Sequence, residues 1–318
     1  MPVLDDFVNH DRRALARLIT HIENRRDDFR RLLSSISRLE RHAYRIGVTG
    51  PPGSGKSTLV DAMVMQYAEK GLKIGVIAID PSSPFTGGAL LGDRIRMQHL
   101  SNRDNVFIRS MASRGQSGGL AAATRDVITI LDAFGMDMIL IETVGIGQVE
   151  LDIVEACDSV VVVLVPESGD MIQTMKAGLM EIADIFCVNK ADRPGSERLI
   201  SMLNLAIHQK LTLDSLEIPA VGTNAVTREG VDKLLEAIEK HRQFLEHSGT
   251  LELRRKRQLK AEVLQTVRDR VISSLEEMID FDGEFEGIGR KLISGETDPY
   301  SAADLIYDQY IRGRLVNG

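Results

Sequence analysis

Gly50-Pro51-Pro52-Gly53-Ser54-Gly55-Lys56-Ser57 follows an apolar run, Ile46-Gly47-Val48, and leads into a helical stretch beginning Ser57-Thr58-Leu59-Val60. The pattern G-x-x-x-x-G-K-S between a strand and a helix is the loop that cradles nucleotide phosphates. A phosphate chain carries several negative charges and little shape, so holding it takes many donors converging on one point. Glycines let successive backbone N–H groups turn inward, and the helix start adds unpaired N–H groups with a positive dipole end. Lys56 supplies a mobile cation and Ser57 a hydroxyl suited to Mg²⁺. Gly50, Pro51, Pro52, Gly53, Ser54, Gly55, Lys56, Ser57 and Thr58 form the expected phosphate-binding set.

Working outward, short β-rich runs alternate with helical segments from Tyr44 to about Ala225. The runs are Arg45–Thr49, Lys73–Asp80, Val106–Ser110, Met138–Thr143, Ser159–Val165, Ile185–Asn189 and Ile218–Gly222. Continuous apolar strands between helices predict an α/β fold with a mostly parallel sheet covered on both faces. Ligands of such sheets gather at the carboxyl ends of the strands. Every polar motif below falls there.

Asn189-Lys190-Ala191-Asp192 closes the strand beginning at Ile185. A carboxylate at Asp192 can accept both N1–H and the exocyclic amine of guanine, whereas adenine offers an acceptor where guanine has N1–H. Sites built on such bonds reject the wrong partner by roughly 10⁴-fold or more. The Lys190 stem can lie over the base, and Asn189 can tie this loop to the phosphate loop. The expected ligands are therefore GTP and GDP, with Mg²⁺. Carboxylates near Ser57 should help hold the metal: Asp80 and Glu142, each ending a strand, and Asp93 in Leu91-Gly92-Asp93-Arg94. Mg²⁺ takes one or two carboxylates, often through water, so these three cannot all be direct ligands. The alternative for any one of them is a helix cap or a solvated charge; placement at a strand's carboxyl end favours the metal role for Asp80 and Glu142. Gly145, in Glu142-Thr143-Val144-Gly145, could donate its N–H to the γ-phosphate and move once that phosphate leaves.

Composition bounds these readings. The chain has 318 residues, 43% of them hydrophobic, and a net charge of −7, which argues against broad nucleic-acid or acidic-membrane surfaces. No apolar run reaches membrane-spanning length, and the N-terminal stretch lacks a basic-then-apolar leader pattern. Cys157 and Cys187 lie in apolar surroundings without metal-ligand spacing and are expected as small buried residues. A cytoplasmic protein is the expectation.

The ends of the chain read as helical. Leu15, Ile22, Phe29 and Ile36 recur at heptad spacing, with Leu18, Leu32 and Leu39 alongside. Asn24-Arg25-Arg26-Asp27-Asp28 can be a turn, leaving either a helical pair or one long helix between residues 8 and 42. Arg228–Glu246 predicts one helix and Thr250–Ile279 another. Leu264, Val267, Val271, Leu275 and Met278 form a stripe that suits either a partner helix or packing on its own domain. Pro299 can open a short helix after Asp298. The expected division is an N-terminal helical extension (1–43), a P-loop domain (44–247) and a C-terminal helical arm (248–318).

These motifs resemble the MeaB/ArgK family of methylmalonyl-CoA mutase-associated GTPases. The resemblance rests on Gly47–Thr58, Asp80-Pro81-Ser82-Ser83, Leu91–Met97, Arg114-Gly115, Gly118-Gly119-Leu120 and Glu142–Gln148. It continues through Gly169-Asp170, Gln173, Lys176-Ala177-Gly178, Glu181–Asp184 and Asn189–Asp192. It implies a P-loop GTPase that gates adenosylcobalamin delivery to a B₁₂-dependent acyl-CoA mutase, protects that mutase and helps replace damaged cofactor. It also implies a homodimer held partly through residues 248–318. Asp80, Asp93 and Glu142 match the family's metal and switch carboxylates, and Pro166–Lys176 matches a loop that senses nucleotide at the mutase interface. Two departures stand out. Val149 replaces a common Ser, and Thr223-Asn224-Ala225 replaces the Ser-Ala of the last guanine-contacting loop. That loop can still offer backbone N–H to the guanine carbonyl.

The expected chemistry is in-line attack of water on the γ-phosphate, with Lys56 stabilising charge, Asp93 a candidate for positioning water, and Glu142 and Gly145 in the switch. Three rivals share the phosphate loop: a metallocentre-assembly GTPase, an ATP-dependent kinase linked to amino-acid transport, and a nucleotide-gated scaffold with negligible hydrolysis. Scattered His and Cys residues oppose the first, and Asp192 opposes the second.

Overall fold

The computed structural model describes residues 2–26, 28–40, 42–80, 100, 103–112, 122–143, 153–167, 179–210, 216–278 and 284–308. Its centre is a seven-stranded sheet: β1 (Tyr44–Thr49), β2 (Ile74–Asp80), β3 (Val106–Ala112), β4 (Met138–Glu142), β5 (Ser159–Leu164), β6 (Ile185–Asn189) and β7 (Val221–Thr223). The spatial order is β3-β2-β4-β1-β5-β6-β7. All six pairings are parallel.

Period-two alternation explains why these strands are apolar throughout. In β5, Val160, Val162 and Leu164 enter one core while Val161 and Val163 enter the other. Ile139 and Ile141 of β4 divide from Met138 and Leu140 in the same way. One face is covered by α4 (Lys56–Glu69) and α8 (Val231–His247). The other is covered by α5 (Ala122–Ala133), α7 (Ser196–Lys210) and the N-terminal helices. A short helix, α6 (Leu179–Ile182), precedes β6.

The N-terminal region forms α1 (Pro2–Val8), α2 (Arg12–Glu23) and α3 (Phe29–Ile36), so the chain breaks at the predicted turn. Arg25 takes a left-handed φ of 50° there, with its guanidinium 2.9 Å from Asp126 and stacked over the Phe29 ring. The residues of the predicted stripe on α2, Leu15, Leu18 and Ile22, are buried, Ile19 is buried beside them, and α2 packs on α5. Helix α1 lies ahead of the predicted start at residue 8. It is held by Phe7, whose ring sits 5.3 Å from that of Phe134.

Strand β7 begins later than the predicted Ile218. Pro219 has no N–H to give a ladder, and the Ala220 N–H donates to Asn204 Oδ1 at 2.7 Å instead.

Toward the C-terminus, α9 (Thr250–Met278), α10 (Glu284–Ser294) and α11 (Pro299–Tyr307) follow. Asp298 caps α11 by accepting from Tyr300 and Ser301 N–H, with Pro299 in the first turn as predicted. The chain divides into compact units Met1–Arg255 and Lys256–Gly318. Among the described residues, no helix is long and apolar enough to cross a membrane.

Beneath the amino-terminal ends of the central strands lies a buried polar cluster. Asp158, fully buried, accepts from Arg255 Nε at 2.9 Å and Nη2 at 2.6 Å, and from the Arg45 N–H at 2.9 Å. Arg254 forks onto Asp184 at 2.9 and 2.8 Å, and Asp184 also accepts the Val160 N–H at 2.8 Å. Ser159 Oγ lies 2.6 Å from both Tyr44 Oη and His241 Nδ1. Burial pushes the Tyr44 phenol well above its usual range. It also pulls the His241 imidazole below its ordinary value, outweighing the opposing pull of Asp184.

Candidate functional site

The phosphate loop joins β1 to α4 at the carboxyl edge of the sheet. Gly50 has φ +142°, and a Cβ there would lie 2.1 Å from the Val163 carbonyl oxygen of β5. No other residue fits that approach. Gly55 caps α4 in the left-handed region, with its Cα facing the Asn189 carboxamide. Lys56 is only 6% exposed, and burying an ammonium group requires partners. Its Nζ donates to the Gly50 carbonyl at 2.8 Å and the Pro51 carbonyl at 3.0 Å, reaching across its own loop. Pro52, Gly53 and Thr58 are exposed, whereas Ser54 is buried.

Asn189 bridges the two nucleotide motifs. Its Nδ2 donates to the Ser54 carbonyl at 2.8 Å, while its Oδ1 accepts from the Ala225 N–H at 3.0 Å and Thr223 Oγ1 at 3.3 Å. Lys190 holds a left-handed φ of 56°, and its Nζ donates to the Gly53 carbonyl at 2.8 Å. The Ala191 N–H donates to the Thr223 carbonyl at 2.9 Å, closing the loops after β6 and β7 onto each other. Asp192 is exposed at the rim and accepts from Asn224 Nδ2 at 2.9 Å. Asn189, Lys190, Asp192, Thr223, Asn224 and Ala225 thus meet in one hydrogen-bonded unit that also grips the phosphate loop.

On the metal side, Ser57 Oγ donates to Glu142 Oε1 at 2.5 Å. A hydroxyl and a carboxylate are both hard oxygen donors, a set that fits Mg²⁺. Asp80 ends β2; Asp93 and Gly145 lie outside the described residues, as do most of 166–176. Three contacts near the site were not anticipated. Thr143 Oγ1 donates to Thr49 Oγ1 at 2.9 Å, locking the end of β4 to β1 beside the loop. Arg193 pairs with Glu167, and that hydrogen bond holds the Glu167 carboxyl below its usual range. The third is the Asn224 amide on Asp192. All three are contacts between side chains remote in sequence, a signal that local spacing does not carry. Cys157 and Cys187 are buried, neither in a disulfide, on opposite faces of the sheet, and burial pushes the Cys187 thiol up to about 12.

A parallel sheet with a glycine-bounded G-x-x-x-x-G-K-S loop after its central strand and an Asn-Lys-Ala-Asp loop after β6 defines a P-loop fold. A family model described as methylmalonyl Co-A mutase-associated GTPase MeaB matches residues 15–280. A protein of Pyrococcus abyssi named as a GTPase is 51% identical over 308 residues, spanning 96% of this chain and 95% of that protein. GTPase ArgK of Escherichia coli strain K12 is 32% identical over 312 residues, spanning 94% of each. Among solved structures, an LAO/AO transport system kinase superposes with a TM-score of 0.73 at 27% identity, covering 96% of both chains. The chain belongs to the MeaB family of mutase-associated GTPases.

Proposed function

We propose that this GTPase is a Mg²⁺-dependent, nucleotide-switched chaperone of a B₁₂-dependent acyl-CoA mutase, methylmalonyl-CoA mutase being the first choice. In this reading it gates adenosylcobalamin loading and protects or reactivates the mutase. The observation that carries the nucleotide half is the Asn189 bridge from the Ser54 carbonyl to the Ala225 N–H, which couples phosphate loop to base loop. Family membership supports the mutase half.

Asp192 reads guanine, and the same residue disfavours the kinase reading in which ATP would be the substrate. Lys56, whose Nζ lies at the Gly50 and Pro51 carbonyls inside the loop, is the cation that would turn to the phosphate oxygens. Ser57 and Glu142 would hold Mg²⁺, with Asp80 and Asp93 as further carboxylates. When bound, the ion supplies positive charge to the β- and γ-phosphate oxygens. Gly145 and residues 166–176 are the proposed reporters of nucleotide state, and Asp93 the proposed water-positioning group. If GTP tightens mutase binding, the mutase tightens GTP binding by the same factor.

Residues 248–318 are the proposed dimerisation arm, in a cytoplasmic homodimer. On α9, Leu264, Val267 and Val271 are 55%, 51% and 47% exposed, an apolar stripe suited to a second copy. The test is retention of native-extract proteins on the immobilised chain loaded with GDP or with a non-hydrolysable GTP analogue. A cobalamin-dependent mutase retained differently in the two states is expected; equal retention, or none, refutes the chaperone role.

A further inference from the structure

We infer that the Asn224 side chain is a positioning residue for guanine recognition, orienting the Asp192 carboxylate; this rests on the guanine-reading role given above to Asp192. Asp192 is exposed on a surface loop. The terminal torsion of an Asp side chain is broad, so nothing in its own chemistry keeps both oxygens in the plane of a base edge. A bidentate pair requires that plane.

Asn224 supplies the constraint. Its Oδ1 accepts from the Val226 N–H at 3.1 Å and the Thr227 N–H at 3.3 Å. Those two donors fix which end of the carboxamide is oxygen, so the NH₂ end must face Asp192 Oδ1, 2.9 Å away. The backbone behind it is pinned independently. The Asn224 N–H donates to the Glu229 carbonyl at 2.8 Å, and the Ala225 N–H to Asn189. One wall of the base site therefore presents a rigid donor to a carboxylate that would otherwise turn freely.

The choice of an amide matters. An ionised carboxylate has about four lone-pair sites. Asn224 occupies one, leaving the others for guanine N1–H and its 2-amino group. A neutral donor orients the carboxylate without cancelling the charge that strengthens those bonds, which a Lys or Arg would do.

The test compares GDP with inosine diphosphate, which keeps N1–H but lacks the 2-amino group, by calorimetry on the full chain and two variants. Asn224→Ala removes both the turn contacts and the donor. Asn224→Asp keeps the oxygen that caps the turn and replaces the donor with an anion facing Asp192. If Asn224 orients the carboxylate, the GDP-over-inosine-diphosphate preference falls about tenfold in both variants. A residue that only held the turn would leave Asn224→Asp with the parental preference and make Asn224→Ala weaken both nucleotides equally; that result overturns the inference. Parental protein that binds ADP as well as GDP would instead refute the guanine reading itself.

Discussion

The two ends of the sheet handle polar groups in opposite ways. At the carboxyl edge, Lys56 donates to the Gly50 carbonyl of its own loop, and Asn189 and Lys190 reach across to the Ser54 and Gly53 carbonyls of that loop. At the amino edge, Arg254 and Arg255 fork onto Asp184 and Asp158, two carboxylates that also take the Val160 and Arg45 N–H groups. A carbonyl is a neutral acceptor, so a phosphate oxygen can displace it and gain charge assistance. A forked arginine–carboxylate pair already has that assistance and two bonds, so nothing in solution improves on it. One edge is built to exchange partners and the other to keep them.

That contrast can be broken from either side. Asp158→Ala should be the most damaging change, because it strands Arg255 beside a fully buried position. Losing one member of a fully buried pair costs about 3–5 kcal/mol; Arg255 is partly exposed and keeps the Ala43 carbonyl, which places this change at the lower end. Denaturant titration should show that loss, with the molecules that remain folded binding nucleotide normally; a near-parental midpoint would mean the amino edge is not fixed as described. Lys56→Ala acts on the other edge and should divide the two properties the opposite way. Turnover should fall by about 10²–10³-fold or more, the scale for a charge-stabilising donor, with the denaturation midpoint little changed. Near-normal phosphate release in that variant refutes the phosphate-loop assignment.

The smallest expected effect is a pH dependence at the amino edge. The groups facing His241 are Ser159 at Nδ1, Asp184 at 3.5 Å from Nε2, and the Arg254 and Asp158 charges. Burial depresses its folded pKa below the unfolded value, so the unfolded chain takes up the proton first. His241 therefore contributes stability that is fully present above about pH 6.5 and lost as pH falls through its lower folded pKa. Thermal midpoints recorded from pH 7.5 downward should decline less steeply in His241→Gln; identical slopes would contradict this.

The same contrast explains what could be read from sequence. The phosphate loop and Asn189–Asp192 were legible because backbone-donor geometry fixes glycine and lysine spacing within a few residues. The strands were legible because burial on both faces makes them apolar throughout; β7 was misplaced because Pro219 interrupts an otherwise strand-like run. Arg254 and Arg255 looked like any charged helix start, since their partners lie 70 and 97 residues away. The stripe on α2 was legible as heptad spacing, and its partner, α5, came only from the structure. Asn224 read as a substitution in a backbone-contacting loop. Its side-chain role depends on a turn that orients the amide, which residue type alone does not reveal.

The most direct test of the central claim, that Asp192 and the loop before Lys56 grip opposite ends of one guanosine nucleotide, is calorimetry with Mg²⁺ on the parental chain and on Asp192→Asn. GTP and xanthosine triphosphate, which carries a carbonyl where guanine has its 2-amino group, are the two ligands. The parental chain should prefer GTP, and Asp192→Asn should lose about 100-fold in GTP affinity while gaining for the xanthosine nucleotide. Undiminished GTP binding by Asp192→Asn would contradict the account.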